Sequence, residues 1–181
     1  MKALKAQGLK PAKLIVRALS QGARQGRLEF GNFSAPCALG RSGITALKRE
    51  GDGATPRGRF AVRYVYYRPG TRRPRTALPL HTIRRDDGWC DSPADRNYNR
   101  PVKLPYPASA ERMWRSDGLY DLVVVLGYND APRVRNRGSA VFMHVARGNL
   151  EPTEGCVALR PKDLRRLLSM LPRDCEIVVS I

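Results

Sequence analysis

Two side chains in this sequence are spaced to make a nucleophile pair. His144 is one of only two histidines in the chain, and it sits in Val141-Phe142-Met143-His144-Val145, an apolar run that would hold its ring on a buried β-strand. Cys156 stands between Gly155 and Val157. The intervening segment Arg147 to Thr153 contains Gly148, Asn149 and Pro152, which break regular structure and let the chain double back towards His144. A thiol facing an imidazole can be deprotonated by it, and the thiolate is the nucleophilic form. Gly155 removes the side chain next to the sulfur, so a carbonyl can approach and backbone N–H groups can point at a developing oxyanion. Taken alone, the spacing is equally compatible with an inert core cysteine and a satisfied buried histidine.

The arrangement resembles the catalytic signature of the L,D-transpeptidases, the YkuD-domain family, in which a histidine strand precedes a Ser/Thr-His-Gly-Cys segment. Thr153, Gly155 and Cys156 match that segment. Upstream, Thr55-Pro56-Arg57-Gly58-Arg59-Phe60 is similar to the family's Thr-Pro-x-Gly-x-Phe turn and strand. The resemblance covers residues 35–181 as a catalytic domain, with 1–34 as a β-rich lead-in belonging to the same domain. A basic subgroup is closest, with a Thr-Glu-Gly-Cys version of the motif: Glu154 stands where a second histidine is common, and Ala158 where many members carry arginine. The loop from His144 to Thr153 is also shorter than usual. These differences bear on substrate choice more than on reaction type.

What the resemblance implies is a peptidoglycan L,D-transpeptidase. Cys156 would attack a stem-peptide carbonyl, His144 would serve as base, and Gly155 would border the oxyanion. The backbone carbonyl of Thr153 would receive the other imidazole N–H. The side-chain amine of a neighbouring stem would then resolve the thioester. If water resolves it instead, the protein is an L,D-carboxypeptidase or endopeptidase; if the thiol is inert, it is a basic nucleic-acid-binding module or a non-catalytic wall-binding domain. The family works outside the cytoplasmic membrane, which places the expected location in the periplasm or cell wall, and its sulfur is acylated by carbapenems.

Other candidate residues flank this core. Asp86 to Pro101, DDGWCDSPADRNYNRP, is too rich in Asp, Asn and Pro for a regular element, and long ordered loops often carry function. Within it Trp89, Tyr98 and Arg100 are candidates to shape a substrate groove; the competing reading has Trp89 plugging the core edge and the charges solvated. Arg147 and Arg160 flank the Cys-His stretch and are candidates to neutralise substrate carboxylates. His81 reads as structural.

Lys plus Arg number 33 against 16 Asp plus Glu, a net charge of +17. Such a field attracts polyanions. The charge is spread along the chain with no zinc-finger spacing and no aromatic-basic RNA motif, so anionic wall polymer and stem peptides are the expected partners and specific nucleic-acid recognition is not. Cys37, Cys90, Cys156 and Cys175 never form C-x-x-C, so neither a metal nor another cofactor is expected. A disulfide among Cys37, Cys90 and Cys175 stays open, whereas Cys156 must remain reduced. Lys10, Lys13 and Arg17 interrupt every apolar run before Ser20, so no signal-peptide core is visible. That conflicts with a wall-facing location unless a leader is missing or export takes another route. No run reaches the roughly 18 apolar residues of a membrane span, and a monomer is expected.

The elements that must position the pair are mostly strands. With 42% hydrophobic residues, 14 prolines and 16 glycines in 181 residues, one turn-rich domain is expected. Lys13 to Leu19, Arg27 to Phe33 with a turn at Gly31-Asn32, Ala35 to Leu39, Phe60 to Tyr66, Leu78 to Thr82 and Glu176 to Ser180 read as strands. Leu122 to Leu126 is apolar on both faces and reads as a central strand. Two short helices are predicted. One is Ser109 to Arg115, capped by Ser109 with Glu111 in its first turn; the other starts at Pro161, with Leu164, Leu167, Leu168 and Leu171 as its apolar stripe. The fold class is therefore mainly β, and the YkuD resemblance implies a sandwich or flattened barrel with its active site in a groove beside the Gly-Cys loop.

Overall fold

A computed structural model describes residues 11–181; the basic opening, residues 1–10, lies outside them. The chain begins with β1 (Ala12–Ala18), β2 (Gln25–Phe30) and β3 (Phe33–Ala38), an antiparallel meander turning tightly at Gly31-Asn32. The short strands β4 (Ile44–Thr45) and β5 (Thr55–Pro56) pair in parallel. They lead into β6 (Gly58–Tyr67), which is followed by β7 (Leu80–Thr82), β8 (Asp87–Cys90), β9 (Arg100–Lys103) and β10 (Ala110–Arg112). The remaining elements are β11 (Leu122–Leu126), β12 (Phe142–Val145), β13 (Val157–Leu159), α1 (Pro161–Leu168) and β14 (Cys175–Ser180).

One large sheet closes on itself. Its order is β11-β12-β13-β3-β2-β1-β14-β6-β7, and β11 also pairs with β6. The long β6 makes closure possible: Gly58 to Ala61 pairs with β14, and Val62 to Tyr67 pairs with β11. Closure leaves few unpaired edges exposed to water or to other chains. β1 and β2 are integral to this sheet, so the lead-in strands share one core with the rest of the chain.

Alternation along the strands divides the apolar residues between two cores. Leu14, Val16, Leu28, Val124, Met143, Val157, Leu159 and Ile177 point into the closed sheet. The apolar face of α1, with Leu164, Leu167 and Leu168, packs into the same cluster. Pro161 occupies the first turn of α1, where the missing N–H costs nothing. On the other side, Val123, Val125 and Phe142 pack with Trp89, Met113 and Tyr120. β11 is thus buried on both faces, as its unbroken apolar run predicts. Burying each such side chain contributes about 1.5–3 kcal/mol.

Two expectations are corrected. Ser109 to Arg115 forms no helix; Ala110, Glu111 and Arg112 are β10 and pair antiparallel with Cys90, Trp89 and Gly88 of β8. A seven-residue segment is too short to hold a helix by itself, so cross-strand pairing decides its conformation. α1 is accordingly the one α-helix among the described residues. The polar stretch Asp86 to Pro101 is not irregular throughout, because its two ends are β8 and β9, paired as a hairpin. On the pairing that the sequence leaves open, Cys37, Cys90, Cys156 and Cys175 are all free thiols. No helix among the described residues is long and apolar enough to cross a membrane.

Candidate active site

β12 is buried along its length and sorts its side chains by alternation. Met143 and Val145 face the main core, while Phe142 and His144 face the second cluster. Its parallel neighbour β13 places Val157 beside Met143 and Ala158 beside His144. Continuing that register sets Cys156 beside Phe142, on the face that carries His144. The residue pair suggested by sequence is therefore brought together as diagonal neighbours on adjacent strands. Both line one cavity of about 490 Å³.

The connecting loop is pinned rather than loose. Thr153 N–H donates to Leu39 O at 2.9 Å, and Arg41 N–H donates to Thr153 O at 2.8 Å, which ties the loop to the end of β3. Gln25 Nε2 holds Leu150 O at 3.3 Å. Gly155 adopts φ +129°, and a Cβ there would lie 2.8 Å from Ala54 O. Its glycine is required by backbone packing as well as by access to the sulfur. Thr153 Oγ1 accepts from Gly155 N–H at 3.1 Å and donates to Cys156 O at 2.7 Å. Thr55, in the upstream Thr-Pro motif, is buried; its Oγ1 accepts Gly40 N–H at 2.8 Å and reaches Cys156 O at 3.4 Å. The two sequence motifs thus meet at the carbonyl of Cys156.

The thiol and imidazole are both uncharged at rest. Cys156 Sγ donates to Ala140 O at 3.3 Å and accepts from Phe142 N–H at 3.4 Å. Burial, reinforced by the negative charge of Glu111, pushes the thiol up to about 12. Burial lowers His144 to about 4. Its Nδ1 lies 2.8 Å from Val145 O, so Nδ1 carries the proton and Nε2 keeps a lone pair. The carbonyl that fixes the tautomer is that of Val145, not that of Thr153, whose oxygen is already occupied by Arg41 N–H.

Several residues that the sequence does not single out surround the pair. Tyr120 turns its ring edge to His144, with centroids 5.4 Å apart at 67°. Its hydroxyl donates to Glu111 Oε1 at 2.6 Å, and Arg115 lies over its ring at 5.1 Å. Arg115 is itself held by Asp117 at 2.6 Å, and that contact draws the Asp117 carboxyl down to about 2. Lys48 is only 5% exposed; its ammonium bonds Arg49 O and the Asp52 carboxylate at the cavity wall. Asn99 accepts Ala140 N–H at 3.1 Å, and so fixes the residue whose carbonyl receives the thiol.

The five suggested substrate residues fare unequally. Arg147 lines the cavity and is steadied by Asp117 at 3.3 Å. Trp89 does not line it: 5% exposed, it packs edge-on against Phe142 and donates its indole N–H to Asn99 Oδ1 at 2.9 Å. Tyr98 is buried and bonds Glu50 through its hydroxyl. Arg100 is exposed on β9, and Arg160 directly precedes α1 with its guanidinium donating to Asn149 Oδ1 at 3.1 Å. Trp89, Tyr98, Arg100 and Arg160 therefore lie outside the cavity lining. An apolar ring at a strand pairing is drawn into the core, and the exposed guanidinium of Arg100 stays hydrated.

The sequence profile described as YkuD, L,D-transpeptidase catalytic domain, matches residues 23–179. The chain belongs to this family. No functionally curated sequence matches it. Among solved structures, Bd1075 of Bdellovibrio bacteriovorus is similar at a TM-score of 0.47 and 12% identity, covering 94% of this chain and 48% of its own. An L,D-transpeptidase from Mycobacterium smegmatis gives 0.44 and 14%, covering 94% and 59%. L,D-transpeptidase 1 of Mycobacterium tuberculosis gives 0.39 and 15%, covering 93% and 62%. The chain spans about half to three-fifths of these proteins, and likeness at that distance assigns no residue a role. The Cys156–His144 cavity is the candidate centre of this L,D-transpeptidase catalytic domain.

Proposed function

We propose that this YkuD domain is a peptidoglycan L,D-transpeptidase in which Cys156 is the nucleophile and His144 the general base. The observation that carries the reading is the shared cavity: a neutral imidazole with a free Nε2 stands on the same sheet face as a thiol beside a glycine. As a stem-peptide carbonyl at an L-centre is attacked, His144 Nε2 takes the thiol proton while the C–S bond forms. Gly155 N–H is engaged by Thr153 Oγ1, which leaves the Cys156 amide as the nearer donor for the oxyanion. The leaving amine receives the proton from His144. A side-chain amine from a neighbouring stem then displaces the thiolate and makes the cross-link.

Incubating the protein with a carbapenem and with purified disaccharide-peptides tests this reading. One adduct per chain on the peptide containing Cys156, together with cross-linked dimer, is expected. Modification at Cys37 or Cys90, or cross-linking that survives in folded Cys156→Ala, would refute it. Shortened stems with no dimer would make the protein a hydrolase.

The same reading places the working protein at the cell wall, retained on anionic polymer by its charge of +17. Binding to isolated sacculi should weaken steeply as salt rises, since screening shortens the field to roughly 8 Å at physiological ionic strength. Finding all of the protein in the cytoplasm, with a normal wall in a deletion strain, would overturn that placement.

A further inference from the structure

The cavity reverses the sign of the chain. Lys and Arg outnumber Asp and Glu by 33 to 16 over the whole sequence, yet around Cys156 five carboxylates, Glu50, Asp91, Glu111, Glu151 and Glu154, face only three cations. Those cations are already answered: Lys48 by Asp52, and both Arg115 and Arg147 by Asp117. Glu50 is engaged by Tyr98 and Glu154 by Arg41.

Asp91 and Glu111 are less fully satisfied. Asp91 Oδ1 is buried with no hydrogen-bond partner among the described residues. Glu111 receives the Tyr120 hydroxyl at 2.6 Å, while Arg115 stays 3.7 Å away with its guanidinium committed to Asp117. The pairing of β8 with β10 sets Glu111 opposite Trp89, and Asp91 follows two residues later, so both carboxylates rise from one face of the small sheet. Glu111 is held within β10, and Asp91 directly follows β8 with its N–H donating to Ser109 O at 3.2 Å. Burial raises the Glu111 carboxyl above its ordinary range, and a desolvated carboxylate gains most from a cationic partner.

We propose that Glu111, with Asp91 beside it, forms the subsite that receives the ammonium of the acceptor amine and so directs the acyl-enzyme towards aminolysis and away from water. The inference rests on the transpeptidase reading and names the residues that would select its second substrate. The free enzyme keeps its thiol neutral against the Glu111 charge. Once the sulfur is acylated, that charge opposes nothing and is available to the incoming cation. One ammonium proton passes to Glu111, freeing the nitrogen lone pair. The nitrogen then attacks the thioester carbonyl, His144 removes a second proton as the C–N bond forms, and the C–S bond breaks. The thiolate takes that proton from His144, and Glu111 returns its own to solvent. The balance is thioester plus ammonium giving amide, thiol and one proton.

The test compares wild type with Glu111→Gln and Asp91→Asn in the full chain. Each is given a donor disaccharide-peptide and a choice between water and either of two nucleophiles: a lysine-type primary amine, cationic at neutral pH, or methoxyamine, largely uncharged there. The readout is the ratio of amide to hydrolysed product. A variant that merely folds less well loses both products together and leaves the ratio unchanged. With the cationic amine the ratio should fall about tenfold or more in Glu111→Gln, and less in Asp91→Asn. With methoxyamine it should hold. An unchanged ratio with the cationic amine, or an equal fall with both nucleophiles, overturns the proposal. If wild type forms no acyl-enzyme at Cys156, the transpeptidase reading fails by itself. The subsite is then decided by calorimetric binding of the same cationic amine to Cys156→Ala, which must weaken when Glu111→Gln is added.

Discussion

Phe142 donates its backbone N–H to the sulfur of Cys156 across 3.4 Å, from the strand that carries His144 two residues further on. That bond favours the thiolate, but burial outweighs it and holds the thiol up at about 12. With His144 lowered to about 4, the resting pair is neutral, and charge must appear only when a carbonyl is in place to receive the sulfur.

This resting state predicts how the free enzyme meets a simple alkylating agent. Iodoacetamide should modify Cys156 slowly at neutral pH, with a rate that keeps rising about tenfold per pH unit beyond pH 9. Mass mapping of the alkylated peptide across pH 6 to 10 is the measurement. A rate that levels off near pH 7 or below would instead reveal a preformed thiolate–imidazolium pair.

His144 should also leave a mark on folding stability. Its unfolded value of 6.5 lies above its folded value of about 4, so the unfolded chain binds more protons between them. Stability is therefore fully present above about pH 6.5 and is lost as pH falls towards 4, by up to about 3 kcal/mol. Urea titrations at pH 7 and pH 4.5 should show the loss. In His144→Gln the part of the slope due to this residue should vanish, and a slope unchanged in that variant would show that other groups cause it.

The histidine strand, the Gly-Cys turn and the helix at Pro161 are legible in the sequence because their signals are local: an apolar run, a glycine beside a thiol, a proline at a first turn. Glu111 is not legible, since its seven-residue window favours a helix cap and only the long-range pairing with Trp89 makes it part of a strand. Lys48 is one of 33 basic residues, with nothing nearby to announce that it is buried. Asn99 lies in a segment whose composition does suggest function. Its contribution, however, is to hold Ala140 from 41 residues away in sequence, and the aromatic neighbours that look like groove residues are taken into the core. Periodicity and turn chemistry report which elements form; they do not report which elements meet.

Thr153 should matter through its hydroxyl. Thr153→Val removes both the donor to Cys156 O at 2.7 Å and the acceptor for Gly155 N–H at 3.1 Å. Leaving such groups unpaired costs about 1–3 kcal/mol, and the carbonyl and amide on either side of the sulfur would lose their fixed orientation. Thr153→Ser keeps the oxygen and should retain most of the stability and acylation rate. Equal behaviour of the two variants in thermal melts and adduct kinetics would show that the hydroxyl is not what the site needs.

Gly155 offers the sharpest separation of backbone from side-chain effects. At φ +129° an L-residue is strained, and the added Cβ would stand 2.8 Å from Ala54 O, a backbone atom that cannot swing aside. Gly31, at the turn between β2 and β3, also has a positive φ of +54°, but nothing lies within 4 Å of its would-be Cβ. Gly31→Ala therefore measures the conformational penalty alone, on the order of 1 kcal/mol. Gly155→Ala adds the clash and should lose clearly more stability. Relief of that clash must push the loop off β5 and carry the sulfur away from its bonds to Ala140 and Phe142. Acylation should then fall by at least about tenfold, since misplacing a reacting atom by 1 Å can cost about a hundredfold. Chemical denaturation and adduct kinetics on the two alanine variants decide the matter. A Gly155→Ala enzyme as stable as Gly31→Ala, with its acylation intact, would mean that the loop yields freely and that the close approach to Ala54 does not position the thiol.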